Sequence, residues 1–158
     1  AGKGVQAIAE GPHATPNSLS ILPHIGRQAL VALDAGQACV DAVGTSNQSG
    51  ALMALRYMHA PETVDALIKR FEEEKEPDIK QRIARSLVRL VNKEKPYKGE
   101  TWWKTRPDTR GPYYYPTPWE RTEQITKSLI EASKQSDPAT RYIIAELIKK
   151  DRVEIPGF

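Results

Sequence analysis

Residues 61–91, PETVDALIKRFEEEKEPDIKQRIARSLVRLV, decide the fold. Pro61 and Pro77 each stand where a first helical residue loses nothing by lacking an N–H. Behind Pro61, the residues Val64, Leu67, Ile68 and Phe71 fall at i, i+3, i+4 and i+7, which lays one apolar stripe along a helix. Glu62 and Asp65 sit toward its positive end, with Lys69, Arg70 and Lys75 toward its negative end, as the helix dipole favours. Behind Pro77, the residues Ile79, Ile83, Leu87 and Leu90 form a second stripe. The unit is a pair of amphipathic helices.

Outward from this pair the same pattern continues. The chain turns helical from Leu22. Asp34 and Gln37 have the spacing of a capping box, with a short helix to Val43 and Gly44 as its stop. Ser46 is read as the cap of a helix running to about His59. On the C-terminal side, Thr117-Pro118-Trp119-Glu120 has capping-box form, and Thr122, Ile125, Leu129 and Ala132 continue a stripe. Asp137-Pro138 opens a last helix carrying Ile144, Leu147 and Ile148.

These segments repeat. A shift of 61 residues lays Val64 on Ile125, Ile68 on Leu129, Pro77 on Pro138, Ile83 on Ile144, Ala84 on Ala145 and Leu87 on Ile148. About half that shift lays Met53-Ala54 on Ile83-Ala84. The longer offset is therefore one helix pair plus an insertion. Helical pairs at this period indicate an all-α fold, an α-solenoid in which Ala54, Ala84 and Ala145 allow close helix approach. The expected organisation is an irregular lead-in or linker over 1–20, with a short helix near Val5–Glu10. A repeat domain of about three helix pairs follows over 21–158, with an insertion at about 92–117.

The insertion has unusual wording. All three tryptophans and half of the six tyrosines lie between Thr101 and Glu120. Trp, Tyr and Arg dominate binding hot spots, which makes Trp102, Trp103, Arg106, Asp108, Arg110, Tyr113, Tyr114, Tyr115 and Trp119 the candidate interaction residues. A loop this apolar must also bury part of itself, so a structural brace with an exposed contact edge accommodates both roles.

Composition restricts the alternatives. The 23 basic and 20 acidic residues leave a net charge of only +3. Residues 1–60 carry three charges of each sign, and the remainder interleaves the signs as solvated helix faces do. Arg82, Arg85 and Arg89 line one helix face as a basic ridge that could meet phosphates, but Glu72, Glu73, Glu74 and Glu76 lie just upstream. Nucleic acid is the disfavoured partner. Cys39 is the lone cysteine, in a small apolar setting, so no CxxC, zinc or CxxCH haem-attachment pattern exists. His13, His24 and His59 are scattered, and no glycine-rich phosphate loop or nucleophile–base set is marked out, so neither a metal site nor a catalytic set is expected. No run nears the roughly 18 apolar residues of a membrane span. The Ala1-Gly2-Lys3-Gly4 start is what a processed or excised chain would show.

From Leu22 to Lys150 the chain resembles HEAT-like repeats of the phycobilin-lyase type, whose helix pairs are short. This implies a right-handed superhelix of antiparallel helix pairs. The residues Trp102-Trp103, Thr105-Arg106-Pro107-Asp108-Thr109, Gly111-Pro112-Tyr113-Tyr114 and Trp119-Glu120 resemble a run in large exported proteins of planctomycetes and verrucomicrobia. Those proteins join a sorbosone-dehydrogenase-like propeller, a HEAT-repeat segment and a cytochrome c-type haem domain. The resemblance implies an exported or periplasmic scaffold with protein partners, and a haem c held outside this chain. The alternative is a lyase-like or nucleic-acid-binding HEAT protein using the basic groove.

Overall fold

The computed structural model describes residues 21–96 and 116–155. Among these residues the chain is mostly helical. Seven helices occur: α1 Ile21–Ala32, α2 Gly36–Asp41, α3 Gln48–Leu55, α4 Pro61–Glu73, α5 Pro77–Leu90, α6 Thr122–Gln135 and α7 Pro138–Asp151. The fold is all-α apart from one two-stranded ribbon, β1 Asn92–Glu94 against β2 Pro116–Pro118. The expected lead-in and its short helix near Val5–Glu10 lie outside the described residues.

The stripes read from the sequence are the core. Val64, Leu67 and Phe71 of α4, Ile83 and Leu87 of α5, Ile125 and Leu129 of α6 and Ile144 of α7 are all fully buried. α2, α4 and α6 pack in one row and α3, α5 and α7 in another, and each even-numbered helix also packs on the helix that follows it. α1 packs on α3. Ala54 and Ala84, both fully buried, face this interior, as their small size permits.

Where α2 meets α4 the approach is closer still. A Cβ on Gly36 would fall 1.8 Å from Thr63 Oγ1, so only glycine fits. Polar rungs cross between helices as well. Ser86 Oγ donates to the Leu52 carbonyl (3.1 Å), Ser128 Oγ donates to Glu72 (3.1 Å), and Arg121 grips Asp65 through Nε (2.8 Å) and Nη2 (3.0 Å).

Helix starts at Pro61, Pro77 and Pro138 follow the expectation. Asp137 caps α7 by accepting from the N–H groups of Ala139 (2.9 Å) and Thr140 (3.1 Å). Three other expected caps differ. Asp34 adopts φ +48° in the turn after α1, which leaves Ala35 at the N-cap of α2 without a side-chain cap. Gln37 bonds Asp41 instead, at 2.8 Å. α3 starts at Gln48 behind Asn47 rather than Ser46, and stops at Leu55, short of His59. Thr117 does not open α6, because its backbone lies in the ribbon opposite Lys93. A turn closed by Thr122 N–H on the Trp119 carbonyl (3.0 Å) intervenes before the helix begins at Thr122.

Candidate interaction surface at the foot of the insertion

The ribbon joins the two flanks of the insertion. Asn92, Lys93 and Glu94 face Pro118, Thr117 and Pro116 in antiparallel register. Directly after β2, Trp119 folds back onto the end of α5. Its indole Nε1 donates to the Leu90 carbonyl at 2.8 Å. The Thr122 hydroxyl donates to the next carbonyl, Val91, at 2.6 Å and accepts from the Trp119 N–H at 2.8 Å. Two carbonyls left over at a helix C-terminus are thereby satisfied by side chains.

The Trp119 ring meets two further groups. The His59 ring approaches edge-on, with centroids 5.4 Å apart and planes at 71°. Lys93 Nζ lies 4.2 Å from the indole centroid, within cation–π range. His59 Nε2–H donates to the Asn92 carbonyl at 2.9 Å, which ties the loop after α3 to β1. Burial pushes the His59 imidazole down to about 4; the Asn92 carbonyl opposes this, and the Lys93 and Arg89 charges add to it. The ring is neutral at physiological pH.

Beside this node lies an open groove of about 730 Å³ along the outer face of α6. Trp119 and Ile130 supply its apolar floor, and Glu123, Lys127, Glu131 and Lys134 rim it. The i, i+4 and i+7 spacing of Glu123, Lys127 and Ile130 places them on one helical face.

Of the candidate interaction residues, Trp119 alone lies among the described residues. It is half-buried and packs against the core. Trp102, Trp103, Arg106, Asp108, Arg110, Tyr113, Tyr114 and Tyr115 lie outside the described residues. The alternative ridge is not uniform. Arg82 pairs with Asp78 (2.8 Å) on its own helix, a different acid from the upstream glutamates. Arg85 and Arg89 turn toward Arg56, Tyr57 and Asp151.

Cys39 is fully buried, and burial pushes its thiol up to about 11, so it serves as a small apolar residue. Among the described residues no group of three or more His, Cys, Asp or Glu side chains is placed to hold a metal ion. No described helix is long and apolar enough to cross a membrane.

His59 was legible only as a scattered histidine, because its partners Asn92 and Trp119 come from distant positions. The grouping of Arg56 with Asp151 likewise left no local pattern. The signal that was available is the three-residue spacing of Trp119 and Thr122 at a helix start, which lets the threonine hydroxyl accept from the Trp119 N–H. No family model, curated protein or solved structure matches this chain.

Proposed function

We propose that the chain is a non-catalytic scaffold and protein-interaction segment built as a HEAT-like α-solenoid, whose insertion supplies a specific contact. The neighbour-to-neighbour packing of α2, α4, α6 and of α3, α5, α7 supports the solenoid reading, since each repeat then touches only adjacent ones. The observation that carries the interaction role is the stapling of Trp119 to Leu90 and His59 beside an open groove. A loop whose foot is held rigidly can present side chains at lower entropic cost. Export, a periplasmic location and a haem c on a neighbouring domain rest on the resemblance of the insertion's wording. The mechanism is geometric: the helix rows space the neighbours, and the insertion makes the contact.

The test is site-specific photocrosslinking in the native host from positions 102, 110 and 114, with position 82 as control. A discrete crosslinked protein product from the first three and none from the control is expected. Trp102→Ala, Arg110→Ala and Tyr114→Ala should lower the yield while leaving far-ultraviolet circular dichroism unchanged. Loss of helicity in these variants would instead assign the insertion to the core.

A further inference from the structure

Helix α1 carries an apolar face that is left exposed. Leu22, Ile25 and Leu33 are 43%, 52% and 73% exposed. Leu33 lies one residue past the helix, but its N–H still bonds the Ala29 carbonyl (2.9 Å), so it keeps a helical position. With Gly26, Ala29 and Ala32 these residues fill one arc about 120° wide, at about 3.6 residues per turn. The opposite side is the packed one. There Leu30 is buried, and Arg27 stacks on Tyr57 with its Cζ 4.3 Å from the ring centroid.

Such a face is out of keeping with the later helices. The exposed residues of α4 are Glu62, Lys69, Glu72 and Glu73, and α5, α6 and α7 also expose charges. α1 exposes no acid, lysine or arginine. A contiguous apolar patch of this kind marks a contact surface. Its position says what fits. α1 packs on α3 and so stands at the head of the row α1, α3, α5, α7. A helix laid on its outer side continues an interface the fold already uses. The other end of the row is unsuited to it, because α7 exposes Arg141, Glu146, Lys149 and Lys150. An apolar partner face would strip those charges of water, which disfavours head-to-tail stacking of copies.

We propose that α1 is the contact by which two copies of this chain pair, antiparallel about a two-fold axis. Leu22, Gly26, Ala29 and Leu33 are spaced by four, three and four residues, so the pattern of large and small side chains reads the same in both directions. A two-fold contact needs such a self-complementary surface. About an axis between Arg27 and Gln28, Leu22 of one copy meets Leu33 of the other, and Gly26 meets Ala29. Small residues at the centre let the backbones approach, and the leucines close the two ends. Antiparallel alignment also sets the positive end of each helix beside the negative end of its mate. A helix of 12 residues is about 18 Å long, so this face alone buries less than the roughly 1,200–2,000 Å² of a standard interface. The pairing is therefore reversible, micromolar or weaker. It stands apart from the insertion and its proposed contact.

The test is sedimentation equilibrium of the full chain from about 1 µM to about 1 mM, the range a small interface requires. A monomer–dimer equilibrium is expected. Ala29→Glu puts a carboxylate at the exposed centre of the face, and should raise the dissociation constant about tenfold or more with far-ultraviolet circular dichroism unchanged. Lys69→Glu, exposed on α4, should change nothing. Leu22→Cys and Leu33→Cys chains, mixed under mild oxidation, should form a disulfide faster than either alone, as the antiparallel order requires. A chain that stays monomeric throughout overturns the proposal, as does association that grows past the dimer. Leu22→Cys joining itself as fast as the mixture overturns it by placing the copies parallel. A dimer that survives Ala29→Glu but is lost in Trp102→Ala assigns the contact to the insertion instead. A lowered monomer thermal midpoint in Leu22→Ser, with no dimer at any concentration, identifies a cover within the same chain and also overturns it.

Discussion

The indole Nε1 of Trp119 donates a 2.8 Å hydrogen bond to the carbonyl oxygen of Leu90, 29 residues earlier in the chain. This bond spans the whole insertion. It joins the end of α5 to the turn before α6, so two helices separated by a long excursion behave as consecutive ones. Trp119→Phe keeps the ring and loses the donor, and should cost about 1–2 kcal/mol, because Leu90 is buried and its carbonyl loses a partner. Trp119→Ala should cost about 2–4 kcal/mol by adding lost packing. Urea unfolding monitored by circular dichroism gives both values, and wild-type midpoints for both variants would remove the staple from the account.

Gly36 is expected to be the least replaceable glycine among the described residues. Alanine is the better helix former by about 0.5–1 kcal/mol, so propensity alone predicts stabilisation by Gly36→Ala. The Cβ would instead fall 1.8 Å from Thr63 Oγ1 and 2.8 Å from its Cβ and Cγ2. The helices α2 and α4 would have to separate, at a cost of about 2 kcal/mol or more. Thr63→Ala in the same chain should restore part of the thermal midpoint, because it removes the nearest atom.

Stability should fall on mild acidification through His59. Its folded-state value of about 4 lies below the ordinary 6.5, so the unfolded chain takes up the proton first as pH drops. The contribution is whole above pH 6.5 and is lost as pH falls from 6.5 toward 4, by about 3 kcal/mol at most. Thermal midpoints across this window should fall steeply for the native chain and shallowly for His59→Gln. Proton NMR of the imidazole should show no titration near 6.5.

A second acid-sensitive group is Glu74, whose side chain is 7% exposed. Its Oε1 accepts from the N–H of Lys75 (2.8 Å) and of Glu76 (2.9 Å), and Arg70 Nη2 lies 2.6 Å from Oε2. Burial works to raise the carboxyl, but the two N–H bonds and Arg70 outweigh it and hold it below the ordinary range. This stabilisation is present above about pH 4.5 and is lost as pH falls through the lowered folded-state value. Glu74→Gln should destabilise by about 1–3 kcal/mol at neutral pH and flatten the acid limb below 4.5.

Cys39 should be silent to iodoacetamide at pH 8 in the folded chain and react once the chain is unfolded in urea. With the thiol pushed up to about 11 inside the core, almost no thiolate is present, and the reagent has no path to it. Labelling of the folded chain at the unfolded rate would mean that α2 opens readily.

The helices were readable because each carries its own instructions. Pro61, Pro77 and Asp137-Pro138 mark starts by local chemistry, and the stripes of α4 and α5 depend only on spacing along one helix. Two of the caps that differed, at Asp34 and Thr117, failed for one reason. A capping side chain competes with other uses of the same residue, and Asp34 turns the chain after α1 while Thr117 pairs with Lys93. The grouping of His59 with Trp119 and of Arg56 with Asp151 joins residues far apart in the chain, so no local pattern could announce either.

The sequence by itself determined the all-α class, the helix faces that are buried and the position of the aromatic insertion, since periodicity and proline placement act within a single helix. Only the tertiary structure decided what those parts do to one another. It turned Trp119 from one more aromatic into the staple of the insertion's foot, and it divided Arg82 from Arg85 and Arg89. Hydrogen bonds and charge pairing depend on distances across helices, and those distances are set by packing.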